Sequence, residues 1–186
     1  MKRLLAVWMV LCFFSGCAAN KAGADPALTL RNELQKGSEC SFRCTVTADY
    51  GDSITAFTMD CVSSGNGDMT ITLVEPETIC GIQGIISQEN GALTFEDKVL
   101  LVQLLADGQI TPICSPWLMV RTLLGGIVRA TECSANGSQV IYDDVFSSEP
   151  FQMYAQLNGD HIPVICEFVW QGRRIITVQV DNFKIL

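Results

Sequence analysis

From Cys40 onward the apolar residues fall on every second position, and that two-residue period restricts this chain to a sheet protein. Cys40, Phe42, Cys44, Val46, Ala48 and Tyr50 alternate with Ser41, Arg43, Thr45, Thr47 and Asp49. Successive side chains of a strand point to opposite faces, so this stretch has one dry face and one wet face. Gly51-Asp52 turns it, and Ser53 to Val62 returns with Phe57, Met59 and Cys61 on one side. After a turn at Ser63 to Gly67, Met69, Ile71 and Leu73 alternate with threonines. A Glu75-Pro76-Glu77 break precedes the apolar stretch Ile79 to Ile86, and Asn90-Gly91 reads as a hairpin turn into Leu93 to Phe95 and Val99 to Leu105. Strands resume beyond residue 126. Gln139 to Tyr142 follows an Asn136-Gly137 turn, and Asp143 to Pro150 is an acidic loop. Phe151, Met153, Ala155 and Leu157 then alternate with polar residues, before Ile162 to Trp170 and Ile175 to Val180. Short consecutive strands with tight turns describe an antiparallel meander.

Two segments carry helical signals instead. Asp25-Pro26 pairs an N-cap with a first-turn proline, Leu28, Leu30 and Leu34 give an apolar side, and Gly37 suits the C-terminal cap. Ser115-Pro116 repeats the cap-and-proline start, and Gly125-Gly126 ends the segment. Between them Trp117, Leu118, Met119, Val120, Leu123 and Leu124 cover most of the helical circumference, leaving only Arg121 and Thr122 as a polar side. A helix so dry is buried on nearly all sides or sits over an apolar cavity. The fold class is therefore α+β, a long antiparallel sheet with one helix before it and another inserted in it.

The first residues have a different purpose. Lys2 and Arg3 open a basic region, Leu4 to Phe14 is an unbroken apolar run, and Ser15-Gly16-Cys17 closes it. These are the parts of a secretory signal, too short to remain as a membrane-spanning helix. The ending on Cys17 resembles the lipobox of bacterial lipoproteins, in which the cysteine is diacylated and becomes the new N-terminus. That resemblance implies a lipoprotein signal over residues 1–16 with Cys17 as anchor; the small, polar stretch that follows makes 17–25 anchor and flexible spacer, and the rest, without repeat or linker, reads as one domain over 26–186. It also implies an exported, lipid-anchored protein on the outer face of the cytoplasmic membrane. Loss of Lys2 and Arg3 takes the formal charge from −8 to −10. So anionic a domain excludes nucleic acid as a partner and disfavours flat docking on anionic lipid, which leaves the covalent anchor to hold it at the membrane.

Catalytic and metal chemistry find little to work with. Downstream of Cys17 stand Cys40, Cys44, Cys61, Cys80, Cys114, Cys133 and Cys166, none in a Cys-x-x-Cys pair, and His161 is the only histidine. That pattern gives no zinc site and no thioredoxin-type centre. Most of these cysteines stand where a small hydrophobe would. Cys40 and Cys61 are the candidate disulfide, nearly level if the hairpin turns near Gly51. His161 follows an Asn-Gly-Asp turn, Gly81 and Gly84 read as a bulge, and the pairs Glu75/Glu77 and Asp143/Asp144 lie in hydrophilic turns. No enzyme signature and no cofactor motif is present in the chain.

What remains is an apolar sheet face too large for two short helices to cover. Either the sheet curls over itself, or it leaves an apolar concavity for a ligand. The order of parts resembles the LolA-like superfamily, which includes lipoprotein-sorting carriers, LppX/LprG lipid-binding lipoproteins and RseB-type stress sensors. The resemblance is carried by the N-terminal helix, the meander from Cys40-Ser41-Phe42-Arg43-Cys44, the Glu75-Pro76-Glu77 to Gly81-Ile82 break, the Leu93-Thr94-Phe95 strand and the Ser115-Pro116-Trp117-Leu118 helix start. It implies an incomplete β-barrel wrapped around short helices that encloses a lipid or acyl chain, with the 115–124 helix as lid or plug. The residues expected to line it are Phe42, Phe57, Met59, Met69, Ile71, Leu73, Trp117, Val120, Leu124, Phe151 and Met153. The other reading is an envelope sensor or interaction module with a packed core and a protein partner.

Overall fold

A computed structural model describes residues 25–87, 90–95, 98–103, 105–106, 109–144 and 151–186. The leader and Cys17 lie outside the described residues. Helix α1 (Pro26–Gly37) begins at Asp25, whose side chain accepts a hydrogen bond from the Ala27 amide, with Pro26 in the first turn as expected. Its C-cap is Ser38, left-handed at φ 60°, and not Gly37. The buried side of α1 is Ala27, Leu30 and Leu34, while Leu28, expected on that side, is 51 % exposed. Positions 27, 30 and 34 share one helical stripe and position 28 lies off it.

The strands are β1 (Cys40–Asp49), β2 (Ile54–Ser63), β3 (Met69–Glu75), β4 (Gln83–Ile86), β5 (Asn90–Phe95), β6 (Lys98–Gln103), the small pair β7 (Leu105–Ala106) and β8 (Gln109–Ile110), then β9 (Ile127–Ser134), β10 (Gly137–Asp143), β11 (Gln152–Leu157), β12 (Pro163–Trp170) and β13 (Arg173–Ile185). Eleven of them form one antiparallel sheet in the order β6-β5-β4-β3-β2-β1-β13-β12-β11-β10-β9. Two meanders are thus joined where the first strand pairs with the last. Cys40 lies opposite Ile185, Cys44 opposite Val180 and Ala48 opposite Ile176. Local alternation forecasts the strands, but not this pairing of residues more than a hundred positions apart.

Register shifts place an extra residue on β3, β9, β12 and β13, bulges that bend strands and raise local twist. The sheet does not close: β6 and β9 are its two edges. Three local expectations change. Asn90 and Gly91 lie inside β5, opposite Gln103 and Val102, and do not form the turn. Of Ile79 to Ile86 only Gln83–Ile86 is strand, because a 3-10 turn takes Glu77–Ile79. Ser115 is the first residue of α2 (Ser115–Gly125) rather than its cap; a 3-10 turn over Pro112–Cys114 leads straight into the helix, and the Ser115 hydroxyl donates to the Pro112 carbonyl at 2.7 Å.

Candidate functional site on the concave face

The dry face of the sheet and helix α2 form one apolar cluster. On β1 the buried positions are Cys40, Phe42, Cys44, Val46 and Ala48, the alternation legible in the sequence. Of the eleven expected lining residues, Phe42, Met59, Met69, Ile71, Leu73, Trp117, Val120, Phe151 and Met153 are buried there, and Phe57 and Leu124 pack against them partly exposed. The structure therefore brings all eleven onto one apolar cluster, and α2 supplies much of what fills it. Leu118, Met119 and Leu123 of this helix are as deeply buried as any strand residue. Phe42 stacks on Phe183 with ring centres 5.4 Å apart, and Phe151 meets Phe168 edge-on at the same separation. Phe168, Phe183 and Met119 were absent from the expected lining. Phe183 lies on β13, beside β1, and Phe168 on β12, one strand further, so the place of both depends on the long-range pairing.

Met59, Met69, Met119 and Met153 are all completely buried in this cluster. Methionine is unbranched and polarisable, so a layer built from it repacks more readily than one of branched residues. Polar contacts tie α2 at both of its ends. The Trp117 indole N–H donates to the Gly67 carbonyl at 2.8 Å, in the turn between β2 and β3. Arg121 lies 4.9 Å over the Trp117 ring. At the other end Arg31 of α1 donates to the Leu123 carbonyl at 3.1 Å and the Gly126 carbonyl at 2.5 Å. Those carbonyls are among the unpaired acceptors at a helix C-terminus, where a cation is also favoured by the helix dipole. Gly126 itself is required for the exit from α2: a Cβ there would stand 2.7 Å from the Thr122 carbonyl oxygen.

The interior is held neutral by burial. Desolvation pushes the Cys40 thiol up to about 11 and Cys114 up to about 12. It also raises Cys61, Cys166 and the Tyr142 phenol well above their ordinary ranges. All stay protonated at neutral pH. The Tyr142 hydroxyl and Thr122 Oγ1 are buried without a hydrogen-bond partner. The expected Cys40–Cys61 bridge is not formed: Cys40 lies opposite Ser63 and Cys61 opposite Phe42, and both are thiols.

Two clefts lie outside this cluster. One of about 620 Å³ is bounded by Thr45, Thr58, Glu75, Glu77 and Cys80 on the wet face; Thr58 donates to Glu75 at 3.1 Å there. The other, about 330 Å³, is bordered by Arg129, Asp143 and Gln152. Among the expected lining residues only Phe57 reaches the first and Phe151 the second. His161 sits in a turn with φ 62°, and Asp143 accepts from Gln152. Among the described residues no three His, Cys, Asp or Glu are placed to hold a metal ion, and no helix is long and apolar enough to cross a membrane.

An unclosed antiparallel sheet of eleven strands laid over two short helices is the incomplete-barrel arrangement that the order of elements implied. Among solved structures, the chain is similar to an uncharacterized conserved protein from Thermus thermophilus, at 11 % identity over 86 % of this chain and 87 % of that one, with a TM-score of 0.49. It is also similar to a LolA superfamily protein from Nitrosomonas europaea (10 % identity, 88 % and 94 % covered, TM-score 0.45). A third is an outer membrane lipoprotein-sorting protein domain from Vibrio parahaemolyticus (8 % identity, 86 % and 90 % covered, TM-score 0.48). No protein-family profile matches the sequence, and no curated protein sequence matches it.

Proposed function

We propose that this chain is an envelope lipoprotein that binds an apolar ligand, a lipid or acyl chain, between the sheet and its two helices. Residues 1–16 direct export, Cys17 carries the lipid anchor, residues 17–25 are the spacer, and the single domain over 26–186 binds without making or breaking bonds. The observation that carries this reading is α2, a helix buried on nearly every side against a methionine-rich sheet face. An acyl chain entering there replaces one apolar contact by another, so the cost of parting falls mainly on the polar ties. Freeing the charged Arg31 bonds costs about 1.5–3 kcal/mol. Burying an acyl chain returns about 0.8 kcal/mol per methylene, so three or four methylenes offset that opening. The membrane is then a partner through the anchor, and the ligand a partner through the concave face.

The test is native mass spectrometry of residues 22–186 purified from an envelope-producing host, followed by solvent extraction. A reproducible added mass that extracts as lipid is the expected result. A clean unliganded mass, unchanged after incubation with envelope lipids, overturns the carrier reading. One observation favours a second reading, an interaction module for a protein partner. Edge strand β6 leaves Val99, Leu100 and Leu101 bare, and an exposed apolar edge can accept an added strand.

A further inference from the structure

Two thiols that sequence spacing does not pair meet on the concave face. β1 and β2 run antiparallel with Phe42 opposite Cys61 and Cys44 opposite Met59, so Cys44 and Cys61 are diagonal neighbours on the same side of the sheet. Their sulfurs stand 3.8 Å apart and both residues are buried. We propose that Cys44 and Cys61 are a disulfide-forming pair that locks β1 onto β2 in the middle of the sheet when the chain is oxidised. A disulfide needs its sulfurs about 2.05 Å apart, so the gap closes by less than 2 Å; diagonal neighbours stand about 7–8 Å apart at Cα, at the edge of the disulfide range, so β1 and β2 draw together as the side chains rotate. The other thiols are placed differently. Cys40 is the other diagonal neighbour of Cys61 and lies beside Ser63; Cys166 is buried on β12, two strands from Cys44; Cys114 approaches the Gln103 carbonyl; Cys80 and Cys133 are exposed.

The oxidant is a disulfide, either a protein's or a small molecule's. One cysteine, as thiolate, attacks it, forming a mixed disulfide and releasing one oxidant sulfur. The second cysteine, as thiolate, attacks the first cysteine's sulfur and displaces the oxidant's remaining sulfur. Two electrons pass to the oxidant, and the two protons lost by the cysteines balance those taken up by its two thiols. Burial raises the Cys61 thiol, which slows exchange once the helices cover the face. The bond therefore forms while the hairpin is assembling. It requires an oxidising compartment, which the proposed export supplies, and it is independent of any ligand.

The experiment is to reduce and unfold the full chain, refold it in a glutathione redox buffer, and block free thiols with N-ethylmaleimide in acid-quenched denaturant. Cleavage at Tyr50 and Phe57 separates the two cysteines for peptide mapping. Of the seven cysteines from Cys40 to Cys166, five are expected to be blocked, with the Cys44 and Cys61 peptides linked. Cys44→Ser and Cys61→Ser each free the other partner for blocking, whereas Cys40→Ser keeps the link. Full blocking of both Cys44 and Cys61, or a Cys40–Cys61 link in their place, overturns the proposal. Free Cys44 and Cys61 in chain recovered from the envelope overturn it for the cell, whatever the ligand measurement shows.

Discussion

Strand β1 and strand β6 belong to the same sheet, yet they read oppositely in the sequence and in the fold. β1 alternates, and the structure buries its dry face completely while Arg43 and Asp49 stay in water. β6, Lys98–Gln103, has four consecutive apolar residues, the pattern of a strand covered on both faces. In the described structure it is an edge strand, with Val99 65 %, Leu100 63 % and Leu101 76 % exposed. The difference lies in the cover. α2 packs on β2 and β13, the two neighbours of β1, whereas β6 has a strand partner, β5, on one side only in the described sheet. Composition reports what a strand can bury; long-range partners decide whether it does.

The largest test of that contrast is to remove cover where it is densest. Trp117→Ala deletes a buried aromatic and its hydrogen bond to Gly67, and is expected to cost about 3–5 kcal/mol in urea unfolding. The matched change on the bare wing, Leu101→Ala, is expected to stay within about 0.5 kcal/mol. Similar costs for the two would mean that β6 is covered in solution and would collapse the comparison. Next in size is Arg31→Ala, which strips the C-terminal end of α2 of its charged donors and is expected to cost about 1.5–3 kcal/mol. Hydrogen exchange gives the sharper reading: amides of α2 should exchange faster while those of β13 hold. Equal acceleration in both would show that α2 opens only with the whole domain.

The sequence made the strands and the dry helix legible because their signals are local. Period-two alternation places every buried residue of β1, and Asp25-Pro26 sets the start of α1. Apolar patterning also placed the eleven expected residues on one cluster, nine buried in it and Phe57 and Leu124 at its margin. What was hidden depends on distance along the chain. Cys40 meets Ile185, and Phe42 stacks on Phe183, through a pairing that no window of neighbouring residues contains. Arg31 shows no motif either: an arginine on an exposed-looking helix turn becomes a tie only when α2 ends beside it. The cysteine pairing failed for a smaller reason. The register sets Cys61 opposite Phe42, diagonal to both Cys40 and Cys44, and the sulfur that stands 3.8 Å from it is that of Cys44.

An alkaline titration separates covered thiols from bare ones. Cys40 moves from an ordinary value of 9.0 to about 11 and Cys114 to about 12, each mainly through desolvation. Between the unfolded and folded values the unfolded chain has lost its thiol protons while the folded chain keeps them, so the unfolded state binds fewer protons and stability falls as pH rises. Stability of the reduced protein should therefore be flat below pH 9 and decline toward pH 11–12. Cys114→Ala is expected to make that decline shallower, whereas Cys133→Ala, at an exposed site, should leave it unchanged. An identical slope in all three proteins would mean that water reaches Cys114 in solution.

The smallest effect on stability falls on β6 itself. Leu101→Lys puts a charge on an exposed edge strand, the device by which sheet proteins resist edge-to-edge pairing. The unfolding midpoint should move little, because a residue 76 % exposed gives up few contacts on substitution. Association should move more: light scattering of the wild-type chain is expected to rise with concentration and that of the variant to stay flat. Should both stay flat, the β6 edge is too short or too twisted to recruit a second strand, and exposure alone does not make it a docking edge. Should the variant instead lose several kcal/mol, Leu101 is buried in solution, and the two ends of the comparison become one continuous core.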